Sequence, residues 1–126
     1  MVPPRDADAD PLLVEELHDQ VGDALRVVAR YRDRSYEMSY LREDLDSLYT
    51  DTDLDAIFDD FVLQGLHKDR LDDLFRAGTL ECSMFQFEDA LVFHFTPGGS
   101  EGLAVSIDPG TGVDIESLVA TCRSYL

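Results

Sequence analysis

The side chains that could act as nucleophiles are few and dispersed in this sequence. The candidates are Cys82, Cys122, Ser83 and Ser106, and each would need a nearby base that a third group holds in place. No GxSxG or CxxC pattern accompanies any of them. Cys82 and His94 fall in neighbouring strand-like runs, where the unknown register leaves a pairing between them open. Because no local catalytic signature is present, we predict that the chain is not an enzyme.

Patterns that could bind a metal ion are equally weak. Asp51, Asp53 and Asp55 alternate as the ligands of a calcium-binding EF-hand loop do. That loop also requires Gly at its sixth position and Glu at its twelfth, and these positions are Ala56 and Val62 here. Acids in such a run are typical of a helix N-terminus, where the helix dipole favours negative charge. We therefore predict no metal site and no cofactor.

The three histidines are isolated from other plausible ligands, and His94 is the most informative of them. It lies in the apolar run 91–95, on the strand face opposite Leu91, Phe93 and Phe95. A histidine there could be a buried base or a pH-dependent switch. The commoner arrangement, which we expect here, places such a histidine on the wetter face of a sheet.

Acidic residues dominate the charge of the chain. Its 126 residues include 27 Asp plus Glu against 10 Lys plus Arg, a formal net charge of −17, and Lys68 is the only lysine. Such a surplus is typical of proteins that work in molar salt, where a Debye length of about 3 Å screens self-repulsion. We therefore predict a salt-adapted protein of an organism that keeps molar salt inside its cells, surrounded by a nonspecific shell of hydrated cations.

The sign and distribution of the charge limit the partners. Negative charge disfavours contact with nucleic acid phosphates and anionic membranes, so we predict neither as a partner. The acids scatter along every segment rather than gathering on one face, which argues against mimicry of nucleic acid. The polar start lacks a signal peptide and the apolar runs are shorter than a membrane span, so we expect a cytoplasmic protein.

Half of the ten basic residues gather in one short stretch: Arg26, Arg30, Arg32, Arg34 and Arg42. These arginines could form a contact patch for an acidic partner. Pairing with nearby acids of the chain itself, such as Asp33, Glu43 and Asp44, is the interpretation that we favour.

Composition and hydrophobic periodicity divide the chain into a tail and one domain. Residues 1–9 are rich in Pro and Asp and predict a flexible acidic tail, and residues 10–126 predict a single domain. Asp10-Pro11 is a helix-start signal, and apolar residues then recur at helical spacing as far as about Gly22. Alternation of period two over 25–42, interrupted at Asp33-Arg34, predicts a β-hairpin. The first run of this hairpin also fits a helical period, which leaves a longer first helix as an alternative.

The second half of the chain continues the alternation of helices and strands. Residues 50–78 predict a helix with a capping-box start, a weak point at Gly65 and a stop at Gly78. Three strand runs and a closing helix complete the chain: 80–87, 90–96, 103–107 and a helix from Thr111 or Asp114.

The resulting order, α-β-β-α(broken)-β-β-β-α, predicts the α+β class. Connections as short as those between the last three strands require antiparallel neighbours. One five-stranded antiparallel sheet with helices packed mainly on one face satisfies this order.

The order of elements resembles that of the roadblock/LC7 and longin group of small domains, and more loosely that of profilin- and PAS-like sheets. The acidic composition, together with the segments 40–45 and 80–82, also resembles small acidic proteins of haloarchaea. The roadblock resemblance implies dimerisation through a sheet edge or a helix, and contact with a small GTPase.

The strand-like run 79–87 is the best candidate for a partner surface. If Cys82 and Met84 meet the helices, Phe85 and Phe87 lie on the open face, where exposed aromatic rings indicate an interface. The alternative is that one of the terminal helices covers that face. The residues that we predict for the interface are Phe85, Phe87, Val92 and His94, followed by Tyr36, Met38 and Tyr40.

The combined observations predict a non-enzymatic interaction module or adaptor, either a homodimer or bound to another protein. The alternative function is a PAS-like sensing domain, which would hold a small apolar ligand between its sheet and a helix.

Overall fold

The computed structural model describes residues 9–126, and their backbone forms a five-stranded antiparallel sheet between layers of helices. The predicted tail lies outside the described residues, except for Ala9, which is the first residue of α1. No helix within residues 9–126 has the length and apolar character that crossing a bilayer demands. The elements are α1 (Ala9–Val21), β1 (Leu25–Arg32), β2 (Ser35–Leu41), α2 (Asp51–Leu66), α3 (Lys68–Phe75), β3 (Ser83–Gln86), β4 (Leu91–Gly98), β5 (Glu101–Ile107) and α4 (Ile115–Arg123).

The strands are ordered β2-β1-β5-β4-β3, and every pair of neighbours is antiparallel. This confirms the predicted α+β class, the antiparallel sheet and the order of elements. The strands β1, β5 and β4 form the centre of the sheet, while β2 and β3 are its two edges. Edge strands matter for function because each one presents an unpaired row of backbone donors and acceptors.

The predicted β-hairpin at 25–42 is confirmed, and the alternative of a longer first helix is wrong. Gly22 adopts φ +58° directly after α1, a left-handed conformation that ends helices and favours glycine. The chain then enters β1 at Leu25. Asp33 adopts φ 54° in the turn between β1 and β2.

The face of the sheet covered by α1 and α4 carries a tightly closed apolar core. Its members include β-branched and aromatic side chains from the three central strands and leucines from both helices. They are fully buried: Leu13, Leu17, Val28, Phe93, Phe95, Val105 and Leu118.

The opposite face is covered by α2, so the prediction that helices lie mainly on one face is wrong. Phe58 and Phe61 of α2 pack against Ala29, Tyr31 and Ala104 of the sheet. The central strands are apolar at consecutive positions, as strands buried on both faces are, and a second helical layer is therefore required.

The start of α2 is fixed by a capping box. The Thr50 hydroxyl accepts a hydrogen bond from the Asp53 amide at 3.1 Å, and the Asp53 carboxylate accepts one from the Thr50 amide at 2.9 Å. The acid run at this point therefore serves the helix start, as predicted. Gly65 does not break the helix; it lets α2 approach the sheet, because a Cβ there would lie 3.0 Å from Oγ1 of Thr96.

The end of the broken helix differs from the prediction. The break falls at His67, between α2 and α3. The second piece, α3, ends at Phe75 because Arg76 already adopts a left-handed conformation with φ 51°, ahead of Gly78.

Most of the clustered arginines pair with acids of the chain itself, as favoured from the sequence, but of the nearby acids expected as partners only Asp44 is seen in such a pair among the described residues. Arg42 binds Asp108 at 2.6 Å and Asp44 at 2.6 Å, and Arg30 binds the buried Asp10 at 2.6 Å. Similar pairs join Arg26 to Asp108 and Arg32 to Glu101. Except for the pair between Arg42 and Asp44, which are two residues apart, these ion pairs connect distant segments, so their role in the described part of the chain is structural.

Candidate interaction surface

Strand β3 is an edge without the usual protection against pairing with another chain. The amide of Phe87 donates to the carbonyl of Ala90 at 2.7 Å, and antiparallel strands alternate inward and outward groups. The backbone donors of Met84 and Gln86 therefore point away from β4, toward solvent. Between Ser83 and Phe87 the strand has no charged residue and no proline, the features that commonly block edge pairing.

Apolar side chains flank this edge on both faces. Phe87 is 60% exposed and Met84 is 49% exposed, while Phe85 is half-buried. Phe85 and Phe87 face the α2 side of the sheet, whereas Met84 lies on the opposite side, as strand alternation requires. Exposed apolar side chains beside an open backbone edge are typical of an interaction surface.

A groove of about 540 Å³ opens between α2 and β3, and we call it the α2–β3 groove. Leu54, Ile57 and Phe61 line its helical side, and Phe85 and Phe87 form its outer rim. The groove is thus a concave, mainly apolar continuation of the β3 edge.

The floor of the groove explains why it is empty of protein atoms. It is formed by the central strands, and its side chains are small: Ala29, Ala104, Ser106, Val27 and Val92. These short side chains of the strands leave space below α2. The ring of Phe58 on α2 does not fill that space, because it stacks on Tyr36 with ring centroids 4.5 Å apart.

His94 lies beneath α2 and is only 2% exposed, so its predicted position on a wetter face is wrong. The Tyr31 hydroxyl lies 2.5 Å from Nε2 of His94, and Nδ1 lies 3.2 Å from Oε1 of Gln64. Gln64 in turn donates from its amide nitrogen to the Asp60 carboxylate at 2.7 Å. Because α2 covers His94, a partner protein cannot contact this side chain directly while α2 stays in place.

The direction of these hydrogen bonds follows from the carboxylate at their outer end. Asp60 accepts from the Gln64 nitrogen, so the Gln64 oxygen faces His94 and requires a proton on Nδ1. Nε2 is then the acceptor, and the hydroxyl of Tyr31 donates to it. Burial lowers the pKa of His94 to about 4 and raises that of Tyr31, so both side chains are neutral near pH 7.

The three interface residues predicted on β2 do not join those on β3, because the two strands are opposite edges of the sheet. They also do not share one face. Tyr36 and Met38 pack on the α2 side, while Tyr40 contacts His18 of α1 with ring centroids 4.7 Å apart. A bulge opposite Val28/Ala29 shifts the register and turns Tyr40 to the other face, which strict alternation could not reveal.

The candidate nucleophiles do not form a catalytic arrangement in the described residues. Burial raises the thiol pKa of Cys82 to about 11 and that of Cys122 to about 12, so both stay protonated at neutral pH. The thiol of Cys82 donates to the Ser83 carbonyl and not to the imidazole of His94, whose ring nitrogens are engaged by Tyr31 and Gln64. Within residues 9–126 no group of three His, Cys, Asp or Glu side chains converges as a metal site.

Solved structures with the same fold share little sequence identity with the chain. A roadblock/LC7 domain from Streptomyces avermitilis is 16% identical, with 90% of this chain and 88% of that chain covered and a TM-score of 0.59. MglB of Myxococcus xanthus is 11% identical, with 99% and 87% covered and a TM-score of 0.61. A structure described as MglB with a tetrameric arrangement is 12% identical, with 100% and 96% covered and a TM-score of 0.54.

These similarities establish the roadblock/LC7 type of fold that the order of elements had suggested. A comparison with curated proteins gives no significant match. A family model matches residues 12–126, nearly all of the described chain. The chain therefore belongs to the family described as Domain of unknown function (DUF7522).

Proposed function

We propose that this chain is a non-enzymatic, roadblock-like interaction module that acts as a homodimer joined at β3. The observation that carries the proposal is the unprotected edge of β3 beside the apolar α2–β3 groove. An edge strand with free donors and acceptors can add a strand from a second chain. The resemblance to roadblock/LC7 domains supports the same conclusion at the level of fold.

A two-fold arrangement fits the edge best. Two β3 strands that pair antiparallel around a two-fold axis present the same residues to each other, so the outward backbone groups of Met84 and Gln86 find partners in both copies. Because β3 has only four residues, backbone bonds alone would be few. Burial of Met84 and Phe87 from each copy supplies the apolar contact that a stable interface requires.

The acidic charge determines the conditions under which this dimer forms. Two copies, each with a formal charge of −17, repel each other in dilute buffer. Molar salt shortens the Debye length to about 3 Å and leaves the apolar contact in place. We accordingly propose the salt-rich cytoplasm of a halophilic archaeon as the working environment.

The proposed dimer serves as a platform for a further protein. The resemblance to roadblock domains favours a regulator of a partner protein such as a small GTPase. The predicted contact residues on β2, Tyr36 and Met38, lie at the sheet edge that the dimer leaves free. Both are half-buried against the α2 layer, and that partner would contact the part of each side chain that stays exposed.

Light scattering in molar KCl, coupled to size exclusion, tests the dimer. We expect a dimer for the unaltered chain and a monomer for Gln86→Pro, because proline removes an outward amide without removing a bond to β4. Phe87→Lys should also give a monomer, and lysine reduces the net negative charge, so added repulsion cannot explain that result.

Leu12→Lys is the matched control, since Leu12 is 55% exposed on α1, away from β3, and receives the same charge. It should remain dimeric. Circular dichroism of each variant verifies the fold. A monomeric unaltered chain at high concentration, or a dimer that survives both β3 substitutions, contradicts the proposal.

A further inference from the structure

We infer that the inner part of the α2–β3 groove is a binding site for a small apolar molecule that ends in a hydrogen-bond acceptor, such as a medium-chain carboxylate. The site lies below α2 and above the central strands, so it does not require the β3 edge. The inference is therefore independent of the proposed dimer.

The dimensions and the lining of the groove match a small-molecule site. Its volume of about 540 Å³ falls within the range of roughly 300–1,000 Å³ that such sites occupy. Apolar side chains dominate the lining, among them Ile57 and Phe61 above and Ala29 and Ala104 below. Because the groove is open to water, an apolar occupant that removes this apolar lining from water is favoured.

The polar group at the inner end of the groove is a serine with an unused donor. Ser106 lines the groove and is only 8% exposed. Its hydroxyl oxygen accepts a hydrogen bond from Nε of Arg26 at 3.2 Å. Among the described residues its own proton has no acceptor, so Ser106 can donate to a ligand.

Arg26 makes this donor stronger. The guanidinium side chain is 11% exposed, and the Asp108 carboxylate lies 3.6 Å from it. Arg26 is the extra residue where β1 and β5 shift register between Leu25 and Val27, and such a bulge turns a side chain to a different face. A hydroxyl polarised by a buried cation favours an anionic or strongly polar acceptor.

The mouth of the groove fixes the orientation of the ligand. Among the described residues that line the groove, Asp60 alone carries a charge, and it would repel an acidic head group at the mouth. The head group therefore turns inward to Ser106, with the apolar part below α2. An amine could bind in reverse beside Asp60, but an exposed ion pair contributes little, and molar salt screens it further.

Displacement of the apolar fluorescent probe N-phenylnaphthylamine in molar KCl tests the site. Octanoate, octanol and octylamine have the same apolar chain and differ in the head group. We expect octanoate to displace the probe at about one tenth of the octanol concentration, the ratio given by one charge-assisted hydrogen bond. Octylamine should be no better than octanol.

Substitutions separate the head-group contact from the apolar cavity. Ser106→Ala should bring octanoate to the octanol level while the probe still binds, and Ser83→Ala, a serine outside the groove, should change nothing. Ala104→Leu fills the floor and should abolish binding of the probe. If this variant does not fold, Ile57→Phe, which fills the groove from the helix, should do the same.

The results that would overturn the inference are specific. They are no probe binding by the folded chain, tighter binding of octylamine than of octanoate, or an unchanged octanoate affinity in Ser106→Ala. Light scattering on the same samples reports the oligomeric state, so loss of the dimer and loss of the ligand site can be distinguished.

Discussion

The Tyr31 hydroxyl donates a hydrogen bond to Nε2 of His94 at 2.5 Å, in the space between the sheet and α2. This contact joins β1 to β4 across the intervening β5. Through Gln64, which accepts from the other nitrogen of His94, it also attaches α2 to the sheet. The position of α2, and with it the shape of the α2–β3 groove, thus depends on a polar contact inside an otherwise apolar layer.

Removal of the donor should destabilise the fold. Tyr31→Phe leaves Nε2 of His94 buried without a hydrogen bond, which costs about 1–3 kcal/mol. Denaturant unfolding at constant molar KCl measures the loss. Tyr36→Phe is the control, since that half-buried ring stacks on Phe58 and loses the same hydroxyl; an equal effect of the two substitutions would contradict the importance of the His94 contact.

The buried imidazole should make stability depend on pH. The pKa of His94 is lowered to about 4 in the folded chain, against about 6.5 when unfolded. Between these values the unfolded chain binds a proton that the folded chain does not, so stability falls as the pH decreases from about 6.5 to about 4 and is unaffected by His94 above that range. The loss attributable to His94 is roughly 3 kcal/mol.

His94→Gln retains an acceptor and a donor but cannot be protonated, which makes it the matched variant for this titration. Its free energy of unfolding, measured over the same pH range at constant molar KCl, should decrease less than that of the unaltered chain. Parallel pH profiles for the two proteins would show that His94 does not titrate as the burial indicates.

Gly102 should not tolerate a larger residue. A Cβ at this position would lie 2.5 Å from the Phe95 carbonyl oxygen and 2.5 Å from the Tyr31 hydroxyl, and the backbone atom cannot move aside. Gly102→Ala should therefore cost about 1–3 kcal/mol. Gly65→Ala offers a comparison: its nearest contact, at 3.0 Å, is with the Thr96 side chain, and a gain in helix propensity of about 1 kcal/mol opposes it. Thermal unfolding should separate the two variants; similar losses would contradict this account.

The net charge should make folding depend on salt. The formal charge of −17 is unscreened in millimolar buffer, where repulsion among the acids opposes the compact state. We expect the far-UV circular dichroism of the folded chain to be lost on dialysis from molar KCl to millimolar salt. A spectrum that stays unchanged would refute salt adaptation.

The sequence predicts the elements of this fold well because each one is determined by local patterns. The turn at Asp33-Arg34 and the capping box at Thr50 are local signals, and both are present in the structure. The number of helical layers cannot be predicted in this way. Alternation shows that Phe93 and His94 point to opposite faces of the sheet, but it does not show that helices cover both faces. For this reason the sequence pattern predicts His94 near water, whereas the structure buries it below α2.

The candidate surface was only partly predictable for the same reason. Phe85 and Phe87 share a face, as alternation requires. Tyr40 lies on the opposite face from Tyr36 and Met38 because a bulge in the pairing of β1 with β2 changes the register. No local sequence pattern indicates this bulge. The groove depends on the pairing of small residues such as Ala29 and Ala104, which only the assembled sheet brings together.

The two helical layers of the molecule differ in how completely they pack against the sheet. The side below α1 and α4 contains large, fully buried residues such as Phe93 and Phe95. The side below α2 also buries Phe58 and Phe61, but their sheet partners include alanines, and a groove is left open beside them. We therefore expect the lowest-energy partial unfolding to be the departure of α2 from an intact sheet. In native-state hydrogen exchange, the amides of α2 should exchange before those of β1 and β5, and the chain would then have a helix that opens and recloses while the rest of the domain persists.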